Sequence, residues 1–181
     1  MKYEDIENVN KQLKGIDVKG KNYIEVNQRI KAFRMLYPEG TIETEIIQQD
    51  TYRFLDEETN VILMKATIKN EEGKILATGT AYEKENSSFI NRTSFVENAE
   101  TSCIGRALAI CGIGIDTSIA SAEEVLNAIN NQDKLKLIAR IQKLMSDKEI
   151  LPNEPFEHFG KSSNEMNEEE LKEVIKWLEG K

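Results

Sequence analysis

The stretch that decides the fold is Val61-Ile62-Leu63-Met64-Lys65-Ala66-Thr67-Ile68-Lys69, then Asn70-Glu71-Glu72-Gly73, then Lys74-Ile75-Leu76-Ala77-Thr78-Gly79-Thr80-Ala81-Tyr82-Glu83-Lys84. Two β-type runs flank a short polar connection with a glycine near its end, the pattern of an antiparallel hairpin. A loop of two or four residues sets Lys69 opposite Lys74 or shifts the register by an even step, and both leave the faces unchanged. One face then carries Ile62, Met64, Ala66 and Ile68 against Ala81, Gly79, Ala77 and Ile75. All are apolar or small, so this face packs on helices. The other carries Val61, Leu63, Lys65, Thr67 and Lys69 against Tyr82, Thr80, Thr78, Leu76 and Lys74. That face is rich in threonine and lysine and has no carboxylate.

Outward from the hairpin, Thr41 to Ile47 alternates, with Ile42, Thr44 and Ile46 on one side, and reads as a further strand. Asp56-Glu57-Glu58-Thr59-Asn60 reads as the polar turn between it and the strand from Val61. Upstream, Ile6, Val9 and Leu13 recur at helical spacing, and Gly15 and Gly20 break the chain after them. Tyr23, Val26, Ile30, Phe33 and Tyr37 mark an amphipathic helix from Tyr23 to Tyr37, stopped by Pro38-Glu39-Gly40. Downstream, Phe95 to Cys111 reads as a helix with the apolar stripe Phe95, Val96, Ala99, Cys103, Ala107 and Ile110. Ser94 is its expected N-cap, with Glu97 as capping-box partner.

A second stripe on this helix is small: Thr101, Gly105 and Ala109. It fits close packing on the sheet, or close approach of another subunit or a nucleic-acid backbone. Gly112 and Gly114 end the helix. Ser121 to Ile129 comes next as a short helix with Ser121 and Glu124 as a capping box. Asn130-Asn131-Gln132 reads as a polar linker. Beyond it Leu135, Ile138, Ile141, Gln142 and Met145 mark one helix, Leu151 to Pro155 a connector, and Glu168 to Leu178 a last helix. The expected fold is α+β: a core of helix, three-stranded antiparallel β-meander and helix over residues 1–130, with a small helical bundle over 131–181.

Composition narrows the function. The chain has 181 residues, 24 Lys+Arg, 32 Asp+Glu and a formal net charge of −8. Charge alone argues against generic nucleic-acid binding. No apolar run reaches the ~18–20 residues that a membrane helix needs, so no membrane partner is expected. Met1-Lys2-Tyr3-Glu4-Asp5 lacks the apolar segment of a signal peptide, and a cytoplasmic location is expected. Cys103 and Cys111 lie ~12 Å apart along a helix, too far to bridge, and read as small apolar residues. Neither they, His158, nor Glu97 with Glu100 make a metal or catalytic set. Cys111-Gly112-Ile113-Gly114 comes after a helix instead of a strand, so it is not a dinucleotide loop. No cofactor and no enzyme activity are expected.

Charge is unevenly distributed. From Val18 to Tyr37, Lys19, Lys21, Arg29, Lys31 and Arg34 face only Glu25, a local balance of 5 − 1 = +4. Ser87-Ser88-Phe89-Ile90-Asn91-Arg92-Thr93-Ser94 holds hydroxyls, an amide and an arginine suited to phosphate and sugar. Tyr23, Tyr82 and Phe89 offer stacking surfaces for unpaired bases. Each has a plainer reading as a solvated face, a loop or a cap.

Three segments together carry a resemblance: Lys21-Asn22-Tyr23-Ile24-Glu25, Ala77-Thr78-Gly79-Thr80-Ala81, and Phe95-Val96-Glu97-Asn98-Ala99-Glu100-Thr101-Ser102-Cys103-Ile104-Gly105-Arg106-Ala107-Leu108-Ala109-Ile110-Cys111-Gly112. With Ile119-Ala120-Ser121-Ala122-Glu123-Glu124-Val125, they resemble phage single-strand annealing proteins of the Rad-fifty-two-like, Sak-type superfamily, in the small form from phages of Gram-positive bacteria. The resemblance spans about Lys19 to Ala128. It implies single-stranded DNA binding, homo-oligomeric rings, and annealing without ATP in the bacterial host cytoplasm. It places a family basic residue at Arg106 and another near Lys21. Gly105 and Ala109 stand where the family has further basic residues, so contact is expected to be shared more widely.

The expected DNA-binding set is therefore Lys19, Lys21, Lys65, Lys69, Lys84, Asn91, Arg92, Thr93, Ser94 and Arg106. The C-terminal helices are expected to recruit a single-strand binding protein or replisome component, or to stabilise the oligomer. The alternative is a phage-encoded interaction module, an adaptor or inhibitor of a host defence or replication protein, for which an acidic surface is suited.

Overall fold

A computed structural model of the chain describes residues 2–54, 57–88, 90–115, 118–163 and 165–181. Its elements in chain order are α1 (Tyr3–Asn10), β1 (Gly15–Val18), β2 (Lys21–Ile24), α2 (Val26–Leu36), β3 (Thr41–Phe54), β4 (Glu57–Lys69) and β5 (Ile75–Lys84). A 3-10 turn over Glu85–Ser87 leads to α3 (Asn91–Ile110), α4 (Ala122–Asp147), α5 (Glu154–Phe159) and α6 (Glu168–Gly180). The fold is α+β. An antiparallel sheet in the order β3-β4-β5 carries α3 on one face, and the chain ends in a helical bundle.

The hairpin of β4 and β5 has the expected faces. Met64 pairs with Ala81, Ala66 with Gly79 and Ile68 with Ala77, an even step from the simplest register. A bulge between Ile68 and Lys69 then sets Lys69 opposite Ile75. It turns Ile75 out of the core, and this residue is 57% exposed. Asn70 shapes the loop, its side-chain oxygen accepting from the Glu72 and Lys74 amides at 3.1 and 2.8 Å. Helix α3 lies directly on the sheet at Gly79. A Cβ there would stand 2.5 Å from the Ala107 nitrogen and 2.8 Å from the Cys103 carbonyl oxygen. Ala99, Cys103 and Ala107 are buried against this surface, whereas Ile110 is 53% exposed and leaves the stripe.

Several expectations are corrected. Tyr23 and Ile24 belong to the strand Lys21–Ile24, not to the first turn of a helix, because Lys19 and Gly20, at φ 52° and 82°, close a two-residue hairpin between β1 and β2. Helix α2 therefore begins at Val26. Glu57 to Asn60 belongs to β4, which pairs with β3 through these residues; Asp56 lies outside the described residues. Ser94 does not cap the long helix from outside. It sits inside α3 as a kink at φ −145°, ψ 26°, and the helix starts one turn earlier. The largest correction concerns Asn130-Asn131-Gln132, which is no linker. It lies inside α4, a 26-residue helix, so the boundary drawn at 130 and 131 falls within one element.

Two expected caps are present. At the start of α4, the Ser121 hydroxyl accepts from the Glu124 amide at 3.3 Å, and the Ser121 amide donates to the Glu124 carboxylate at 2.9 Å. At the end of α3, Ile113 N–H donates to the Leu108 carbonyl and Gly112 N–H to the Ala109 carbonyl, at 3.0 and 2.9 Å, with Gly112 at φ 97°. This pair of bonds closes the helix with a left-handed glycine.

Two apolar cores result. One lies between α2, α3 and the sheet, around Phe33, Ile62, Ile68, Cys103 and Leu108. The other joins the second half of α4 to α6 around Ile141, Met166, Leu171, Val174 and Leu178. Leu135 and Gln142 are exposed and do not take part. His158 stacks on Trp177 at 4.8 Å, and the Lys181 ammonium lies 4.1 Å from the centre of the same indole.

Candidate nucleic-acid interface

The basic residues expected to bind DNA are scattered over three regions. The first is the sheet face away from α3. There β3 brings carboxylates that the β4–β5 hairpin lacks: Glu45 pairs with Lys65 at 2.6 Å and Glu43 with Lys69 at 2.5 Å. The expectation of a lysine-rich face without a carboxylate is thereby corrected, because the third strand neutralises it.

The second region flanks the first half of α4. Lys19 reaches Asp133 at 3.5 Å, and Arg106 reaches Glu124 at 3.2 Å. Lys21 stands exposed on the same hairpin as Lys19. Among the described residues it makes no ion pair.

Arg29, counted in the cationic segment, belongs to the interior. It is fully buried. Its guanidinium donates to the carbonyls of Gly105 (2.7 Å), Ile119 (2.8 Å), Ser118 (2.8 Å), Ala120 (3.3 Å) and Gly114 (3.4 Å). It ties the chain between α3 and α4 to α2. Burial pushes its pKa down, while Glu124 and Glu123 pull it back. Arg34 likewise turns to the carbonyls of Pro38 and Gly40. Lys19 is paired, so the +4 segment presents Lys21, Lys31 and Arg34 as its exposed cations without an ion-pair partner among the described residues, Arg34 being turned to backbone carbonyls.

The small stripe of α3 is also consumed inside the chain. A Cβ on Gly105 would stand 2.7 Å from Val26 and 3.5 Å from Ser121, at the starts of α2 and α4. Ala109 is fully buried as well. The stripe is therefore filled by the chain's own helices at these two positions.

The third region keeps its cations at the surface. Lys84 ends β5, and Arg92 and Thr93 open α3. Asn91, expected to donate to DNA, is only 4% exposed and is spent on the fold. Its amide nitrogen donates to Glu83 (2.6 Å), Ser87 (2.7 Å) and the Lys84 carbonyl (3.1 Å), and its oxygen accepts from Asn98 (2.6 Å). Thr93 is exposed; its hydroxyl donates to the Ile90 carbonyl at 3.3 Å and lies 3.4 Å from that of Ser94. Tyr82 is exposed on the outer sheet face and Tyr23 partly buried; Phe89 lies outside the described residues.

A cleft of about 220 Å³ opens beside this region, lined by Ser88, Ile90, Asn127, Asn130, Asn131, Lys134, Met166, Asn167 and Glu168. Its walls come from the segment before α3, the middle of α4 and the start of α6. Burial and the nearby charge of Arg92 push the Lys134 pKa down, with Glu170 opposing. The charge of Arg92 also helps hold Glu165 below the usual carboxylate range, after the two hydrogen bonds from Ser162. Sequence reasoning missed the amide face because Asn130 and Asn131 read as breakers. The available signal was Asn127, Asn130, Asn131 and Lys134 at i, i+3, i+4 and i+7.

The geometry thus defines an α–β–β–β–α unit with a helical bundle packed beside it. Residues 30–111, from within α2 to the end of α3, match the family model described as Slr1353 N-terminal dsRNA-binding domain-like. A comparison with curated proteins found no match. Among the described residues, no helix is long and apolar enough to cross a membrane.

Proposed function

We propose that this chain binds single-stranded DNA and anneals complementary strands without ATP, as a non-enzymatic recombination protein of a phage acting in the bacterial host cytoplasm. The observation that carries nucleic-acid binding is the match of the α–β–β–β–α unit to a dsRNA-binding-domain-like family. The preference for single strands and the annealing step rest on the resemblance of residues 95–112 to phage annealing proteins. Lys21, Lys84, Arg92 and Arg106 neutralise phosphates, and Thr93 and Ser94 donate to the backbone. Phosphate contacts position a strand without reading it, which leaves bases available for testing against a second strand.

Ring formation rests on the resemblance, now that Gly105 and Ala109 are filled from within the chain. Recruitment of a single-strand binding protein or replisome component is assigned to the outer face of the C-terminal helices. A mobility shift with a labelled oligonucleotide, its duplex and a duplex RNA tests the binding. Addition of the complement tests annealing. A shift with the single strand is expected, together with faster annealing than without protein. A shift confined to duplex RNA would overturn the single-strand reading.

A second reading has one observation in its favour. Lys19, Lys65, Lys69 and Arg106 are each paired with a carboxylate, so few cations of this chain of net charge −8 are left unpaired, which suits a basic protein partner. Absence of any shift at low salt favours that interaction module.

A further inference from the structure

We infer that the cleft between α4, the start of α6 and the residues Ser88 and Ile90 accepts one unstacked nucleobase of a bound strand. The inference rests on the nucleic-acid reading and adds a base-contacting site to the phosphate contacts. Asn127, Asn130 and Asn131 lie on one face of α4, and all three line the cleft. Among the described residues, their side-chain amides have no partner within the chain. Asn167 gives its oxygen to the Glu170 amide at 3.0 Å, and its amino group remains to donate.

An amide offers two N–H donors and a carbonyl acceptor on one planar group. A nucleobase edge presents the same mixture, and paired asparagine contacts to bases result from it. A phosphate, which only accepts, has no use for the amide oxygens, and an aliphatic ligand has no use for the amides at all. The remaining walls fit the ring faces. Ile90 is 50% exposed and presents apolar surface to the cleft, while Met166, 1% exposed and part of the bundle core, backs its floor. The volume of about 220 Å³ lies below the ~300–1,000 Å³ of sites for drug-sized ligands, which suits a single heterocycle. Arg92, whose charge is felt at Lys134, supplies a cation for the flanking phosphate. The C-terminal helices thereby become one wall of the binding site.

The test uses the full chain and an oligothymidylate carrying one 2-aminopurine, followed by anisotropy for binding and by 2-aminopurine fluorescence for the base. Substitution N127A together with N131A removes two amides, and alanine raises helix propensity, so α4 is retained. The wild type is expected to change the fluorescence on binding. The double variant is expected to bind about tenfold more weakly and to lose that change, the loss of one base contact. A strand of the same length built wholly of abasic positions is expected to bind the two proteins equally. If the double variant matches the wild type in affinity and fluorescence, the cleft takes no base, while the nucleic-acid reading stands. If the wild type gives no anisotropy change with any strand, both fall.

Discussion

Arg29 shows how misleading a residue's charge is without its surroundings. Its five carbonyl partners lie on α3 and on the chain that leads from α3 to α4. Replacing it with alanine strands those acceptors in the interior, and an Arg29→Ala variant is expected to lose roughly 3–5 kcal/mol in urea unfolding. Glu83 makes the opposite case. Burial raises its carboxyl above the usual range; the Asn91 hydrogen bond opposes this, and Glu124 adds to it. Folding therefore favours the protonated form. The stabilisation is present below the ordinary carboxylate pKa and is lost as pH rises through the raised value. Glu83→Gln keeps an oxygen for Asn91 and removes the charge. Its Tm is expected to exceed that of the wild type at neutral pH, and the difference is expected to vanish near pH ~4. A difference that grew on acidification would contradict this assignment.

Among the elements, the meander and α3 were legible because strict alternation and a small-residue stripe leave few packings. Gly79 and Ala107 show why small residues are needed there: the helix backbone rests on the sheet. A Gly79→Ala variant is expected to lose about 1–3 kcal/mol through overpacking. On the sheet-facing side of the same helix, burial pushes the Cys103 thiol up to about 11, with a backbone hydrogen bond opposing. Iodoacetamide at pH ~8 is expected to modify it far more slowly in the folded chain than in urea. Helix α4 was not legible as one element. Three consecutive polar residues interrupt its apolar pattern, and only the placing of Ser88, Ile90 and Met166 along that interruption explains it. The edge strand β3 was underestimated for a related reason. Its carboxylates pair with lysines 20 and 26 residues away, and a hairpin read in isolation cannot show a third strand's charges.

At the scale of the whole molecule, the net charge of −8 is met locally by ion pairs and not by a broad cationic face. Such exposed pairs contribute at most about 1 kcal/mol each and are readily exchanged for phosphate. The proposed binding therefore rests on a few cations, Lys21 on β2, Lys84 at the end of β5, and Arg92 and Arg106 on α3. An Arg106→Ala variant is expected to weaken binding to all sequences alike, read from anisotropy with several oligonucleotides. A loss confined to one sequence would contradict backbone recognition. The most direct measurement is the salt dependence of binding to a fluorescent oligothymidylate. Four phosphate contacts predict that log K falls against log salt with a slope of about −3. A flat dependence, or no binding even at low salt, would contradict the claim that this chain holds a nucleic-acid strand by its backbone.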